Sequence, residues 1–167
     1  FSTTTATLQN VISRVSGGSA SSINGKLQLV PAAGSAPSFF FINPAGVTFG
    51  AGASVDVPGA FHASTANHLK FSDGTLFRAG AGPDSSFSVA PPEAFGFLGT
   101  TRASIMIKDG AWLVTKPAQP ISLVAGDIVI DNAGVETNAG EIRAMALGAQ
   151  PADWPILGTS DSPGGPP

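Results

Sequence analysis

Short apolar runs, each followed within a few positions by turn-forming residues, recur along the whole chain. Polar and apolar residues alternate at positions 25–30 and 53–57, which predicts half-buried strands. No segment keeps the i, i+3, i+4, i+7 spacing of a helix over three turns, and residues 141–147, the best helix formers by propensity, are too few. The pattern therefore predicts an all-β protein built of many short strands.

The most informative run contains three consecutive phenylalanines, Phe39, Phe40 and Phe41, followed by Ile42. Four residues are too few for a helix, and these residue types favour strands. Because side chains alternate between the two faces of a strand, the three rings cannot all point the same way. Both faces of this strand must therefore be covered, or one phenylalanine is exposed for a partner.

A tight turn is predicted directly after this strand, at residues Asn43, Pro44, Ala45 and Gly46. Asn-Pro starts turns: the side-chain oxygen of Asn43 can cap the turn, and the proline ring holds φ near −65° at the second position. Alanine at the third position disfavours a type II turn, whereas glycine at the fourth suits type I. Val47 then begins a further strand, so the stretch predicts strand, tight turn, strand.

Two all-β architectures are compatible with this series of strands. Short strands at regular spacing suit an antiparallel sandwich. The same strands suit a β-helix if Gly and Asn mark its corners, and Asp109-Gly110 fits either a hairpin or such a corner. Strands that are apolar on both sides and a charged fraction of only 11% slightly favour the β-helix.

Composition narrows the possible functions. The 167 residues suit one domain, and a net charge of −3 argues against nucleic acid or an anionic membrane as partner. The chain has no cysteine, which excludes disulfides and thiol chemistry. It also has no apolar run of about 18 residues, so we expect no stable membrane insertion. The chain opens without a signal peptide, and residues 151–167, rich in Pro, Gly and Ser, are predicted to be a linker or tail.

Few residues suggest catalysis or metal binding. His62 and His68 lack an evident third ligand, so we interpret them as ordinary surface or turn residues. Asp127 and Asp131 point the same way on a strand, as calcium-binding or acid–base carboxylates can, but both fit turns better.

Carbohydrate-cleaving enzymes also include β-helices, so a β-helix leaves carbohydrate chemistry open. Trp112 and Trp154 could stack on sugars, although a lone tryptophan more often packs inside the protein. No cluster of acids with a nearby Lys or Arg is visible, and no nucleophile motif, phosphate loop or zinc spacing occurs. We predict that the chain is not an enzyme and holds no cofactor or metal.

Several sequence blocks resemble, in order, the amino-terminal two-partner secretion (TPS) domain of the filamentous haemagglutinin family. The blocks are NVISRVSGG (10–18), SING (22–25), FFINPAGVTFG (40–50), ASTAN (63–67), FSDG (71–74), AFGFLG (94–99), SLVAGD (122–127) and AGEI (139–142). Each block alone is weak, but their common order over most of the chain is specific.

The resemblance implies a right-handed parallel β-helix, which decides between the two architectures. It places the secretion domain at residues 1–150, without the amino-terminal strands that cap the helix in this family. Coils of about 20–25 residues would give six to seven of them. The residues expected to be mostly buried are Leu27, Leu29, Phe41, Ile42, Val47, Phe49, Val55, Val57, Phe61, Phe71, Phe95, Phe97, Ile105, Ile107, Leu123, Ile128, Ile130 and Ile142.

The resemblance also implies a function: a domain of a large exported adhesin or haemagglutinin that an outer-membrane transporter recognises in the periplasm. The protein would then fold on the surface of a Gram-negative-type bacterium or be released. The four turn residues 43–46 match the family's Asn-Pro-Asn-Gly signature except at Ala45, so any contact by an Asn side chain there is missing. A purely structural turn is the alternative role for these residues, and a carbohydrate-binding or carbohydrate-cleaving β-helix is the alternative function.

Overall fold

The structure is a computed structural model that describes residues 1–80, 86–149 and 152–156. These residues form strands and connecting turns without a helix. The strands are β1 (Asn10–Arg14), β2 (Ser21–Ile23), β3 (Lys26–Gln28), β4 (Ser38–Ile42), β5 (Val47–Phe49), β6 (Ser54–Asp56), β7 (Phe61–Ser64), β8 (His68–Phe71), β9 (Leu76–Arg78), β10 (Pro92–Phe97), β11 (Ser104–Lys108), β12 (Trp112–Val114), β13 (Ile121–Ala125), β14 (Asp127–Asp131), β15 (Gly134–Glu136), β16 (Ile142–Ala146) and β17 (Ala152–Pro155).

Three parallel sheets account for thirteen of these strands. The first sheet has the order β1-β4-β7-β13-β16, the second β2-β5-β11-β14 and the third β3-β6-β12-β15. The chain visits the first, second and third sheets in turn and then returns to the first, one level further along. This is a parallel β-helix, as predicted, and the all-β fold class is confirmed.

The described residues contain four complete coils, and β16 starts a fifth. The expectation of six to seven coils is wrong because the chain leaves the helix after β7 and rejoins it only at β11. In between it forms β8, β9 and β10, which pair antiparallel with one another and with β17 in the order β17-β10-β8-β9. The turn at Asp73-Gly74, with a φ of 83° at the glycine, joins β8 and β9 as a hairpin.

The antiparallel sheet covers the outer face of the first parallel sheet and creates a second hydrophobic core. Phe39 and Phe41 point into the helix and belong to the inner core. Phe40 and Ile42 point outward and pack with residues of the antiparallel sheet, including Phe95. Both faces of β4 are therefore covered, which explains how three consecutive phenylalanines are tolerated.

Fifteen of the eighteen residues predicted for the core are buried. The exceptions are Ile128, which is half-buried, Ile130, which is 49% exposed, and Ile142, which is 46% exposed. They lie on β14 and β16, the outermost strands of the second and first sheets among the described residues. Their side chains line up with buried residues of the previous coil, such as Ile105 opposite Ile128, and the described residues form no further coil over them.

The corners of the helix use residues that accept positive φ. Asp109 and Gly110 have φ values of 58° and 82° and connect β11 in the second sheet to β12 in the third. The Asp109-Gly110 pair is therefore a corner and not a hairpin. The predicted tail contains β17, which pairs with β10, whereas residues 157–167 lie outside the described part. No helix among the described residues is long and apolar enough to cross a membrane.

Candidate functional site

The predicted turn at residues 43–46 joins β4 of the first sheet to β5 of the second. The Gly46 amide donates to the Asn43 carbonyl at 3.0 Å, which closes a four-residue turn. The Ala45 amide donates to Asn43 Oδ1 at 2.9 Å, so the asparagine oxygen caps the turn. Ala45 has no positive φ, which excludes type II and agrees with the type I turn expected from the sequence.

The Asn43 side chain also binds the preceding coil through its nitrogen. Asn43 Nδ2 donates to the Ser19 carbonyl at 3.0 Å and to Ser21 Oγ at 2.8 Å. The Asn43 backbone amide donates to the Ser64 carbonyl of the following coil at 3.0 Å. Asn43 is fully buried, and it thus joins three successive coils at one corner.

Sequence reasoning predicted the oxygen cap but missed the two bonds of the amide nitrogen. Those bonds reach 22 and 24 residues back along the chain, which is about one coil. If the coil length had been known, a serine 22 or 24 residues before Asn43 could have been expected to lie beside it. A carboxylate in place of the Asn43 amide could keep the cap to Ala45, but it could not donate to Ser19 and Ser21.

Gly46 occupies a position that a side chain would not fit well. Its φ of 117° lies in the region that L-residues rarely adopt. An added Cβ would lie 3.4 Å from the Ser104 carbonyl and 3.5 Å from the Cβ atoms of Ala20 and Ala103. The Gly46 carbonyl accepts the Ser21 amide at 3.0 Å. Of the four turn residues, only Pro44 and Ala45 keep partial exposure to solvent.

The two histidines are buried, so the prediction that they are surface or turn residues is wrong. His62 lies on the outer face of β7, where the antiparallel sheet covers it, and its ring stacks on Phe40 at 4.3 Å between centroids. Its Nδ1 is buried without a hydrogen-bond partner, and burial lowers the pKa of His62 from 6.5 to about 3. The imidazole is therefore neutral at physiological pH.

His68 lies on β8, in a space left free by a glycine. Its ring crosses Gly96 on β10, where any Cβ would collide with the imidazole. His68 Nε2 is 3.5 Å from Asp153 Oδ1 on β17. Burial lowers the pKa of His68, and the Asp153 carboxylate acts in the opposite direction.

The structure does not bring the candidate catalytic or metal residues together. The two histidines lie in different sheets, and no three His, Asp or Glu side chains cluster in the part of the chain described. Asp127 and Asp131 are both exposed at the two ends of β14, and Asp127 Oδ1 accepts the Ile128 amide at 2.9 Å. The Asn43 turn is therefore the predicted site with the most developed geometry.

Comparison with known proteins identifies the family of the chain. The family model described as TPS secretion domain matches residues 1–162. No match was found among curated proteins or among solved structures. Because the match covers nearly the whole chain, the protein belongs to the TPS secretion domains, a non-enzymatic family of secreted proteins that are exported through the periplasm and interact with an outer-membrane transporter.

Proposed function

We propose that this chain is the recognition domain of a large adhesin or haemagglutinin of a Gram-negative-type bacterium. The periplasmic domains of a cognate outer-membrane transporter bind it, and it nucleates β-helix folding outside the cell. The proposal rests on the family and on the geometry of the Asn43 turn.

The main supporting observation is that Asn43 is fully buried and uses its side-chain oxygen and nitrogen within its own chain. A transporter cannot contact this side chain in the folded domain. If the transporter recognises Asn43, it does so before the turn closes, while the chain is still extended. Strand addition to a sheet edge is a recognition mode that suits such a chain.

The same turn is well placed to start folding. Asn43 hydrogen-bonds to residues of the preceding and following coils, so closing this one corner aligns three coils. In a solenoid each repeat contacts only its neighbours, and growth can propagate once a nucleus exists. The buried rings of β4, directly before the turn, add apolar burial to the same nucleus. Recognition and nucleation therefore use the same residues at successive stages of export.

Binding to the unfolded chain separates these two roles. Wild-type chain and Asn43→Ile are unfolded in urea, diluted into the transporter's isolated periplasmic domains, and their association is measured before refolding. We expect weaker binding of Asn43→Ile, and no export of the full-length variant when its transporter is supplied. Asn24→Ile is the matched control, because it makes the same change at an exposed corner between β2 and β3.

Equal binding of wild type and Asn43→Ile in the unfolded state would remove the recognition role. Asn43 would then be a structural turn residue, and any export defect would follow from misfolding alone. Weaker binding of Asn24→Ile to the same extent would instead show that the transporter responds to general hydrophobicity.

A further inference from the structure

The outer face of the third sheet carries an exposed aromatic platform. Side chains at Lys26, Ser54, Trp112 and Gly134 occupy equivalent positions in successive coils of this sheet. Trp112 is 53% exposed, although its neighbour Leu113 points inward and is fully buried. Val114, two residues further along the strand, lies on the same face and is 36% exposed, so the two side chains form an apolar patch. An exposed apolar patch bordered by polar residues is the kind of feature that marks a binding surface.

The indole of Trp112 lies flat against the backbone of the next coil. A Cβ at Gly134 would be 2.5 Å from two carbons of the six-membered ring, so only glycine leaves room for this position. Trp112 Nε1 donates to Glu136 Oε2 at 3.2 Å, which fixes the orientation of the ring. About half of the Trp112 side chain is thus held against the protein, while the rest is exposed to solvent.

Polar groups in fixed positions lie on the same sheet, beside Val114. Asp56 accepts a hydrogen bond from Gln28 Nε2 at 2.8 Å and pairs with Lys116 Nζ at 2.8 Å. The bonds from Lys116 and Gln28 lower the pKa of Asp56, so this carboxylate is ionised at neutral pH. A shallow groove of about 380 Å³ runs between Lys26, Asp56 and Lys116.

The charges of this face cancel. Lys26 and Lys116 are balanced by Asp56 and Glu136, so the surface offers donors and acceptors without a net charge. Such a face does not favour a sulfated or phosphorylated polymer, which would need a cluster of cations. The pairing of a flat aromatic ring with fixed hydrogen-bonding groups instead matches a ligand that has apolar C–H faces and many hydroxyls.

We propose that the outer face of the third sheet binds a neutral oligosaccharide of equatorially linked pyranose rings. One ring stacks its C–H face on Trp112, and its hydroxyls bond to Glu136, Ser54 and Lys26. Successive coils lie about 4.8 Å apart, so an extended saccharide running across the strands meets equivalent positions at regular intervals. This binding is separate from secretion and does not depend on the Asn43 turn.

Calorimetric titration of the 167-residue chain with cellohexaose and chitohexaose tests the proposal. We expect saturable binding of at least one of them and about tenfold weaker binding by Trp112→Ala. Trp112→Phe should bind with intermediate affinity because it keeps a smaller ring. Trp154→Phe is the control, since Trp154 packs against the outer core on the other side of the molecule and its loss should leave binding unchanged.

Gly134→Ala provides a second variant that keeps the tryptophan. The added methyl group pushes the indole off the backbone, and we expect binding to weaken about as much as in Trp112→Ala. Far-UV circular dichroism and thermal melting would show that each variant remains folded.

Several outcomes would overturn the proposal. One is that neither hexasaccharide shows saturable binding at millimolar concentration. Another is that Trp112→Ala binds the hexasaccharide as tightly as the wild type. Tighter binding of a heparin hexasaccharide would exclude a neutral ligand. If Trp112→Ala weakened only binding to the transporter's periplasmic domains, the face would be a protein-binding surface instead.

Discussion

The side-chain nitrogen of Asn43 donates a 2.8 Å hydrogen bond to the hydroxyl of Ser21, one coil earlier in the β-helix. Ser21 also donates its backbone amide to the carbonyl of Gly46, at the other end of the same turn. The turn between β4 and β5 is therefore held in place by the preceding coil as well as by its own cap. This connection sets the register between the two coils and makes the corner cooperative.

Replacing Asn43 by aspartate should destabilise the folded domain. The new carboxylate keeps the cap to the Ala45 amide but places an oxygen against the Ser19 carbonyl, where the amide nitrogen now donates. We expect a loss of about 2–3 kcal/mol in the free energy of unfolding, measured by urea denaturation at pH 7.

Ser21→Ala should cost less, about 1 kcal/mol, because Asn43 Nδ2 keeps its bond to Ser19. Ser22→Ala, at an exposed position of the same strand, is the control and should change the free energy of unfolding little. Wild-type stability of Asn43→Asp would show that the amide nitrogen contributes nothing to the fold.

Alanine at two neighbouring phenylalanines should affect two different parts of the molecule. Phe39→Ala removes a ring from the inner core, whereas Phe40→Ala removes one from the outer core. Both rings are buried, so each change should cost about 3–5 kcal/mol.

Hydrogen exchange would distinguish the two phenylalanine variants. In Phe40→Ala we expect faster exchange of amides in β8 and β10, with protection retained in β5 and β11. In Phe39→Ala the amides of β5 and β11 should lose protection as well. The same exchange pattern in both variants would mean that the two cores unfold as one unit.

The buried His62 should make the domain less stable in acid. Its pKa is about 3 in the folded state and near 6.5 when unfolded, so the unfolded chain binds more protons between these values. The contribution of His62 to the free energy of unfolding is fully present above pH 6.5 and is lost as the pH falls toward 3. Between pH 6.5 and 5 this amounts to at most about 2 kcal/mol.

His62→Phe removes the titrating group and can keep the stack on Phe40. We therefore expect its free energy of unfolding, measured by urea denaturation, to fall less between pH 7 and pH 5 than that of wild type. His68 remains in both proteins, so its own titration cancels in the comparison. Identical pH dependence in the two proteins would contradict the assignment to His62.

The exposed carboxylates of β14 should support no hydrolysis. We expect no cleavage of polygalacturonate, other uronic-acid polymers or ester substrates, with or without calcium, because Asp127 and Asp131 sit at opposite ends of an exposed strand. Cleavage of the polymers is measured as the release of new reducing ends, and cleavage of the ester substrates is measured by absorbance. Turnover that disappears in Asp127→Asn or Asp131→Asn would show that the chain is an enzyme.

The sequence alone determined the short strands, the tight turn at residues 43–46 and the resemblance to the family. Alternation of side chains along a strand and the backbone preferences of Gly, Asn and Pro are local properties, so residues such as Leu27, Val55 and Gly46 could be assigned without a structure. The Asn43 cap to Ala45 is equally local, since it spans two residues.

Tertiary structure decided what lies against each strand. The chain order did not reveal that β8, β9 and β10 leave the helix and cover the first sheet. The sequence therefore left open whether both faces of the strand at residues 39–41 are covered, and it gave no sign that His62 is buried. The bond between Asn43 and Ser21 and the indole of Trp112 over Gly134 likewise join residues about one coil apart. Such contacts depend on the coil length and on the path of the chain between the sheets, which no local pattern of residues specifies.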